Sequence, residues 1–301
     1  AMTTGSYNAV LGTSALGANR LSNCNVAIGN SALSSHDLGV ASAAYNVAVG
    51  FNAGVGVTSG IENTLIGGLA GDALTTASYN TALGYGALGA ETTGGYNVAI
   101  GRSALAGQNA AADTYNTVIG ALAATGVTTA DFNTIMGAAA AGALTTGTRN
   151  VAIGYEALKD EDTTGRVVAI GYGALANQNT PNNSYNVAIG YQASTLSTTA
   201  VENTIVGSLA GDALLTGSSN TLMGVHAGGG LAGGSNNVAM GWSALRNETD
   251  YGNNVAIGYQ ALTAQDAGAT VYNVAVGYNA GLSVSTGVRN TIIGGQAGDA
   301  L

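Results

Sequence analysis

One short motif returns along the whole chain, and its spacing limits the fold more than any other feature. Asn25-Val-Ala-Ile-Gly29, Asn97-Val-Ala-Ile-Gly101, Asn150-Val-Ala-Ile-Gly154, Asn186-Val-Ala-Ile-Gly190 and Asn254-Val-Ala-Ile-Gly258 are its clearest copies. With degenerate copies included, repeats start at 8, 25, 46, 63, 80, 97, 116, 133, 150, 167, 186, 203, 220, 237, 254, 273 and 290. Twelve of the sixteen steps are 17 residues, three are 19 and one is 21, and the extra residues fall late in the repeat. A weaker superperiod of 70 residues relates the copies at 63, 133 and 203. Such a period is too short for paired helices and too regular for loops, but it suits one turn of a β-solenoid. The expected fold is therefore all-β: a parallel solenoid of about 17 coils with two short strands each, forming one repeat domain over 1–301.

Position within the repeat assigns the roles. The fifth residue is always glycine, from Gly12 to Gly294, and the eighth always alanine, from Ala15 to Ala297. The first is asparagine except at Val167, and the fourth is always Ile, Leu, Val or Met. Coils stacked about 4.8 Å apart would make a rod roughly 80 Å long and place identical residues above one another. Asparagine side chains are then expected to form an amide ladder. Glycine marks a corner of unusual backbone geometry or close approach. Alanine marks a layer without room for more.

Two patterns point to a partner. Side chains alternate along a strand, yet positions two, three and four are nearly all apolar, as in Val98-Ala99-Ile100 and Val151-Ala152-Ile153. Both strand faces read as buried, so a second copy of the chain is expected to cover one of them. Position nine is small where position three is large: Leu65 with Gly71, Ile135 with Ala141, Leu222 with Gly228. Position nine is usually leucine where position three is alanine, as in Ala99 with Leu105. Ala48, Ala188 and Ala275 break the rule against Gly54, Ser194 and Gly281, and Val10 breaks it against Leu16. Compensating volumes of this kind mark a close-packed interior, within a coil or across a subunit boundary.

Repeats of the form Asn-Val-Ala-Ile-Gly-x-x-Ala-Leu, running into turns such as Thr92-Thr93-Gly94, resemble the head repeats of YadA-like trimeric autotransporter adhesins. They are also similar to runs in phage tail-fibre shafts. The resemblance implies a left-handed parallel β-roll, an intertwined or side-by-side homotrimer, and attachment at a cell or virion surface. The period departs from the roughly 14-residue repeat of those heads.

Composition removes several functions. Net charge is −9 and charged residues make up only 8 % of the chain, which disfavours nucleic acid and anionic lipid as partners. No apolar stretch is long enough to span a membrane. The single cysteine, Cys24, excludes a disulfide framework and reads as a small filler. Ala1 and Met2 read as a vector-derived leader, and the last repeat breaks off after twelve residues at Leu301, as if cut from a longer fibre.

Nothing implies a catalytic residue, a cofactor or a metal. Gly84-Tyr-Gly-Ala-Leu-Gly89 matches a dinucleotide pattern but lacks the following helix. His36 and His226 lie eleven coils apart and read as solvated turn residues. Asp160-Glu161-Asp162 reads as a solvated acidic turn, the one place a glycan-cleaving carboxylate pair would have to be. Asp72, Asp212 and Asp299 recur in a Gly-Asp-Ala variant on separate coils, too far apart to converge on calcium. Threonine pairs such as Thr75-Thr76 and Thr128-Thr129 raise an ice-binding face as an alternative. Asn182 and Asn247 match the glycosylation sequon, which has weight only in a eukaryotic secretory route. Aromatics form columns: Tyr79, Tyr96, Tyr115 and Phe132 at the end of the repeat, and Tyr155, Tyr172 and Tyr191, then Trp242 and Tyr259, at position six. These read as stiffening ladders, with the position-six residues also candidates for contacting a surface glycan or protein receptor.

Overall fold

The computed structural model describes residues 5–299; Ala1, Met2 and Leu301 lie outside the described residues. The chain is an all-β parallel solenoid with one strand per coil and, among the described residues, no helix. It divides into two compact bodies, Ala1–Asn150 and Val151–Leu301. The first holds eight strands, from β1 (Ala9–Leu11) to β8 (Thr134–Met136), and the second nine, from β9 (Val151–Ile153) to β17 (Thr291–Ile293). Within each body every strand pairs in parallel with the next coil's strand, residue for residue, as in Val98↔Thr117, Ala99↔Val118 and Ile100↔Ile119.

Each strand covers only positions two to four, and the expected second strand is absent among the described residues. Backbone conformation is the reason. Positions seven and nine and the last residue of the coil are left-handed even without glycine, as at Ser31 (φ 57°), Leu33 (φ 49°) and Tyr45 (φ 53°). Bulky residues there break an extended run into successive turns. Coil-to-coil bonding persists through the turns: the Leu33 amide donates to the Ala53 carbonyl at 3.0 Å.

Position five meets both of its expected demands. Its glycines have φ between 128° and 146°. A methyl group at Gly84 would lie 2.5 Å from the Gly101 carbonyl oxygen. Alanine at position eight is fully buried from Ala32 to Ala280. The asparagine ladder forms, but with different atoms from those expected. Each side-chain oxygen mainly accepts the backbone N–H of the next asparagine, as for Asn97 on Asn80 (3.0 Å) and Asn220 on Asn203 (2.9 Å). The side-chain amide donates across the coil to a carbonyl, as from Asn63 to Ala77 at 2.9 Å. At these asparagines both ends are buried and satisfied, which suits a position that needs one acceptor and one donor; Asn254 departs from the pattern, its Nδ2 buried without a partner.

The core is built from positions three, eight and nine together with position twelve. Position three points inward and is buried, while positions two and four point outward and stay partly exposed. The volume rule between positions three and nine therefore operates inside one chain. A methyl at Gly71 would come within 2.8 Å of Leu65 Cδ2. Three exceptions find their explanation in the following coil. Gly54 lies against Leu65, where a methyl would be 2.6 Å from Cδ1, and Gly281 against Ile292 at 3.0 Å. Ser194 likewise precedes the coil that carries Ile205. Space left by one coil is filled by the next, as close packing requires.

Candidate binding surface and buried polar sites

Position six projects from the corner after glycine, and there the aromatic columns stack. Tyr155, Tyr172 and Tyr191 have ring centroids 5.4 Å apart at 18° between planes. Trp242 and Tyr259 stack at 5.0 Å, and Tyr278, which the column reading passed over, continues the row at 5.2 Å. All six are exposed. The end-of-coil column runs Tyr79, Tyr96, Tyr115, Phe132 at 4.7, 4.9 and 5.4 Å. Arg149 closes it, its guanidinium carbon 5.5 Å from the Phe132 centroid. Edges and outermost ring faces are open, while the inner faces are used on neighbouring rings.

Beside these columns runs an apolar stripe made by positions two and four. In the first body Leu83 is 44 % exposed and Met136 40 %; in the second Met223 is 38 % exposed. Threonine hydroxyls in the turns bond to the backbone: Thr58, Thr75 and Thr128 each donate to a carbonyl one coil on, at 3.1, 2.9 and 3.2 Å.

Position twelve overturns two expectations. His36 is fully buried, not solvated, and neither ring nitrogen has a hydrogen-bond partner. Burial lowers its pKa, against the opposing pull of Asp37. Glu161 is fully buried as well, while its neighbours Asp160 and Asp162 are exposed and half-buried. The physical reason is shared. Among the described residues position twelve points into the core in each coil, where Leu74, Val127, Leu144 and Leu214 stand elsewhere. The four lengthened coils place His36, Gln108, Gln178 and Gln265 there, and the coils before them Asn19, Glu91, Glu161 and Glu248. That alignment is visible once residues are numbered by position in the coil.

Gly84–Gly89 follows the strand Thr81–Leu83 as a bend and a turn, with no helix to receive a phosphate. Cys24 is unpaired and half-buried at the end of its coil. His226 is half-buried and lines a cavity of about 350 Å³ with Asp212, Gly229, Gly230, Arg246 and Asn247. Burial holds the Asp212 carboxyl above the usual range, while His226 and Arg246 pull it down. Twenty residues separate His226 from Arg246 in sequence, and only the coil count brings them to neighbouring turns. Among the described residues no group of three or more His, Cys, Asp and Glu is placed to hold a metal ion. Compared with protein-family models, curated proteins and solved structures, the chain matches none.

Proposed function

We propose that this chain is a non-enzymatic structural and adhesive segment of an extracellular homotrimeric fibre of the β-roll kind, attaching its bearer to a cell or host surface. The outward apolar stripe carries the reading. Each body exposes a row of Val or Thr (Ala9 in the first coil) at position two and Ile, Leu, Val or Met at position four. Neither position carries a charge in any coil. An apolar row unbroken at position four and flanked by valine or threonine marks an interaction surface. A partner built from the same repeat has the matching spacing, so symmetric self-association covers the stripe of every chain at once. Stacked aromatics and asparagine ladders stiffen such a fibre, and three chains multiply weak contacts at a receptor. Tyr155, Tyr172, Tyr191, Trp242 and Tyr259 are the exposed residues available for those contacts.

Light scattering after gel filtration tests the assembly. The expected mass is three times the 29.3 kDa chain, about 88 kDa, and Leu83→Asp on the stripe lowers it. A mass near 29 kDa for the unaltered chain overturns the trimer. Retention of the purified chain on cells then separates an adhesive segment from a phage-type shaft that serves only as a spacer.

A further inference from the structure

Position ten of three successive coils in the second body carries Asp212, Gly229 and Arg246. At about 4.8 Å per coil, the carboxylate and the guanidinium are rooted roughly 10 Å apart across the glycine. Gly229 keeps the gap open, because a methyl there would come within 3.1 Å of Asp212 Oδ1. Backbone forms the floor: the Gly229 amide donates to the His226 carbonyl at 3.1 Å, and the Gly230 amide to the Arg246 carbonyl at 2.6 Å. The gap is the 350 Å³ cavity, with His226 and Asn247 completing its wall. No ion pair within 4.0 Å joins Asp212 to His226 or Arg246, in contrast to Arg20–Asp37 and Lys159–Glu156.

The first body holds the same notch without its equipment. Asp72 stands at position ten, and a methyl on Gly89 one coil on would lie 3.5 Å from its Oδ1. There Gly86 takes the place of His226 and Ala106 that of Arg246. The whole chain has only 7 Lys and Arg and 2 His. One of each beside an aspartate notch is thus a local departure from the repeat, and it adds nothing to coil stacking.

We propose that this notch binds a carboxylated monosaccharide, a hexuronate unit of a surface glycan. Arg246 takes the sugar carboxylate in a two-point contact, the geometry a guanidinium fork favours. Asp212 accepts hydrogen bonds from ring hydroxyls, and His226 and Asn247 hold the remaining oxygens. A sugar ring that carries both a carboxylate and hydroxyls offers each of these groups the partner its chemistry favours. The proposal deepens the attachment reading, yet the site is complete within one chain.

The experiment is a calorimetric titration of the chain with sodium glucuronate and galacturonate, glucose and inorganic phosphate. A uronate is expected to bind in the millimolar range, at least about tenfold tighter than glucose or phosphate. Arg246→Ala weakens it at least about tenfold and Asp212→Asn several-fold, whereas Asp72→Asn changes nothing. Both altered side chains reach solvent, so unfolding temperatures should stay level. Equal binding of phosphate would mean a plain anion site and equal binding of glucose an aromatic sugar platform, and either overturns the proposal. So does the absence of uronate binding, or binding indifferent to Arg246. A 29 kDa chain that still binds uronate would sink the trimer and keep the site; a trimer that ignores uronate would do the reverse.

Discussion

Three lengthened coils each set a buried glutamine against a buried glutamate of the coil before, and the three pairs differ in how completely they are satisfied. In the first body Glu91 accepts the amides of Thr92, Thr93 and Gly94 on one oxygen, at 2.9, 3.0 and 2.7 Å. Its other oxygen takes Gln108 Nε2 at 3.1 Å and the Ala110 amide at 3.2 Å. In the second body Glu161 takes the Asp162 and Thr164 amides and Gln178 Nε2, at 3.1, 2.9 and 3.2 Å. Glu248 takes the Tyr251 amide at 3.2 Å, and its Oε2 has no partner. The glutamines explain the difference. Gln108 and Gln178 also donate to hydroxyls, Thr114 Oγ1 and Ser184 Oγ, at position eighteen of the long coil. Val271 occupies that position in the third, and Gln265 Nε2 turns to the Ser285 carbonyl instead, at 2.9 Å. A methyl in place of a hydroxyl thus goes with a core carboxylate that has lost its donor.

Breaking a complete pair has the largest expected effect. Gln178→Ala leaves Glu161 Oε2, the Ser184 hydroxyl and Asn186 Nδ2, now bonded to Gln178 Oε1 at 2.8 Å, short of a partner. An orphaned buried polar group costs about 1–3 kcal/mol, so a local loss of about 4 kcal/mol is expected. Repeat arrays open locally, so the measurement is hydrogen exchange at the Val168 and Val187 amides. Unchanged protection there would show that the network does not hold the coil.

The same contrast separates what the repeat made legible from what it hid. Gly84, Ala104 and Asn97 could be read because each is the same residue in the same slot of nearly every coil, so one physical demand recurs. Position twelve alternates between Leu144 and Val127 on one side and Glu161 and Gln178 on the other, and charge alone suggested solvent. Counting by coil would have put Glu161 in a slot held elsewhere by leucine. The compensation at Gly54 and Gly281 was hidden because it crosses to the next coil. The cavity around Arg246 depends on a side chain that Gly229 lacks, together with the course of three turns, and no single repeat records it. The turn conformation that removed the second strand was also out of reach: nothing in Ala32-Leu33 signals a left-handed leucine.

The next effect down is pH dependence, which the incomplete pair should show most strongly. Burial, with Asp266 and Asp250 adding to it, raises the Glu248 pKa to about 7. The folded state therefore holds a proton that the unfolded chain, with its ordinary glutamate, releases from about pH 4.5. Stability falls as pH rises from about 4.5 to about 7 and levels off above, a loss of at most about 3 kcal/mol at 1.36 kcal/mol per unit. Glu248→Gln should flatten that slope and make the coil more stable than the natural one at pH 8. Urea unfolding at pH 5 and pH 8, followed at Trp242 six residues away, measures both. A natural chain as stable at pH 8 as at pH 5 would mean that Glu248 is ionised at little cost.

Val271→Thr is the smallest change and the sharpest comparison, because it converts the third coil toward the first two. Val271 is fully buried in the slot of Thr114. A threonine fits that volume, and its hydroxyl stands where Thr114 meets Gln108. Gln265 then has reason to leave the Ser285 carbonyl and offer Nε2 to both the hydroxyl and Glu248 Oε2, as its counterparts do. A hydrogen bond to the carboxylate favours its charged form, so the pH midpoint assigned to Glu248 should move down. The gain at pH 8 is expected to be about 1 kcal/mol, the usual net worth of one buried hydrogen bond. Carboxyl chemical shifts through the titration give the midpoint directly. If the midpoint stays near 7 while the hydroxyl is accommodated, the Gln265 orientation is fixed by Ser285 and Asn273, whose Nδ2 donates to Gln265 Oε1 at 2.6 Å, and the missing hydroxyl is a consequence of that geometry instead of its cause.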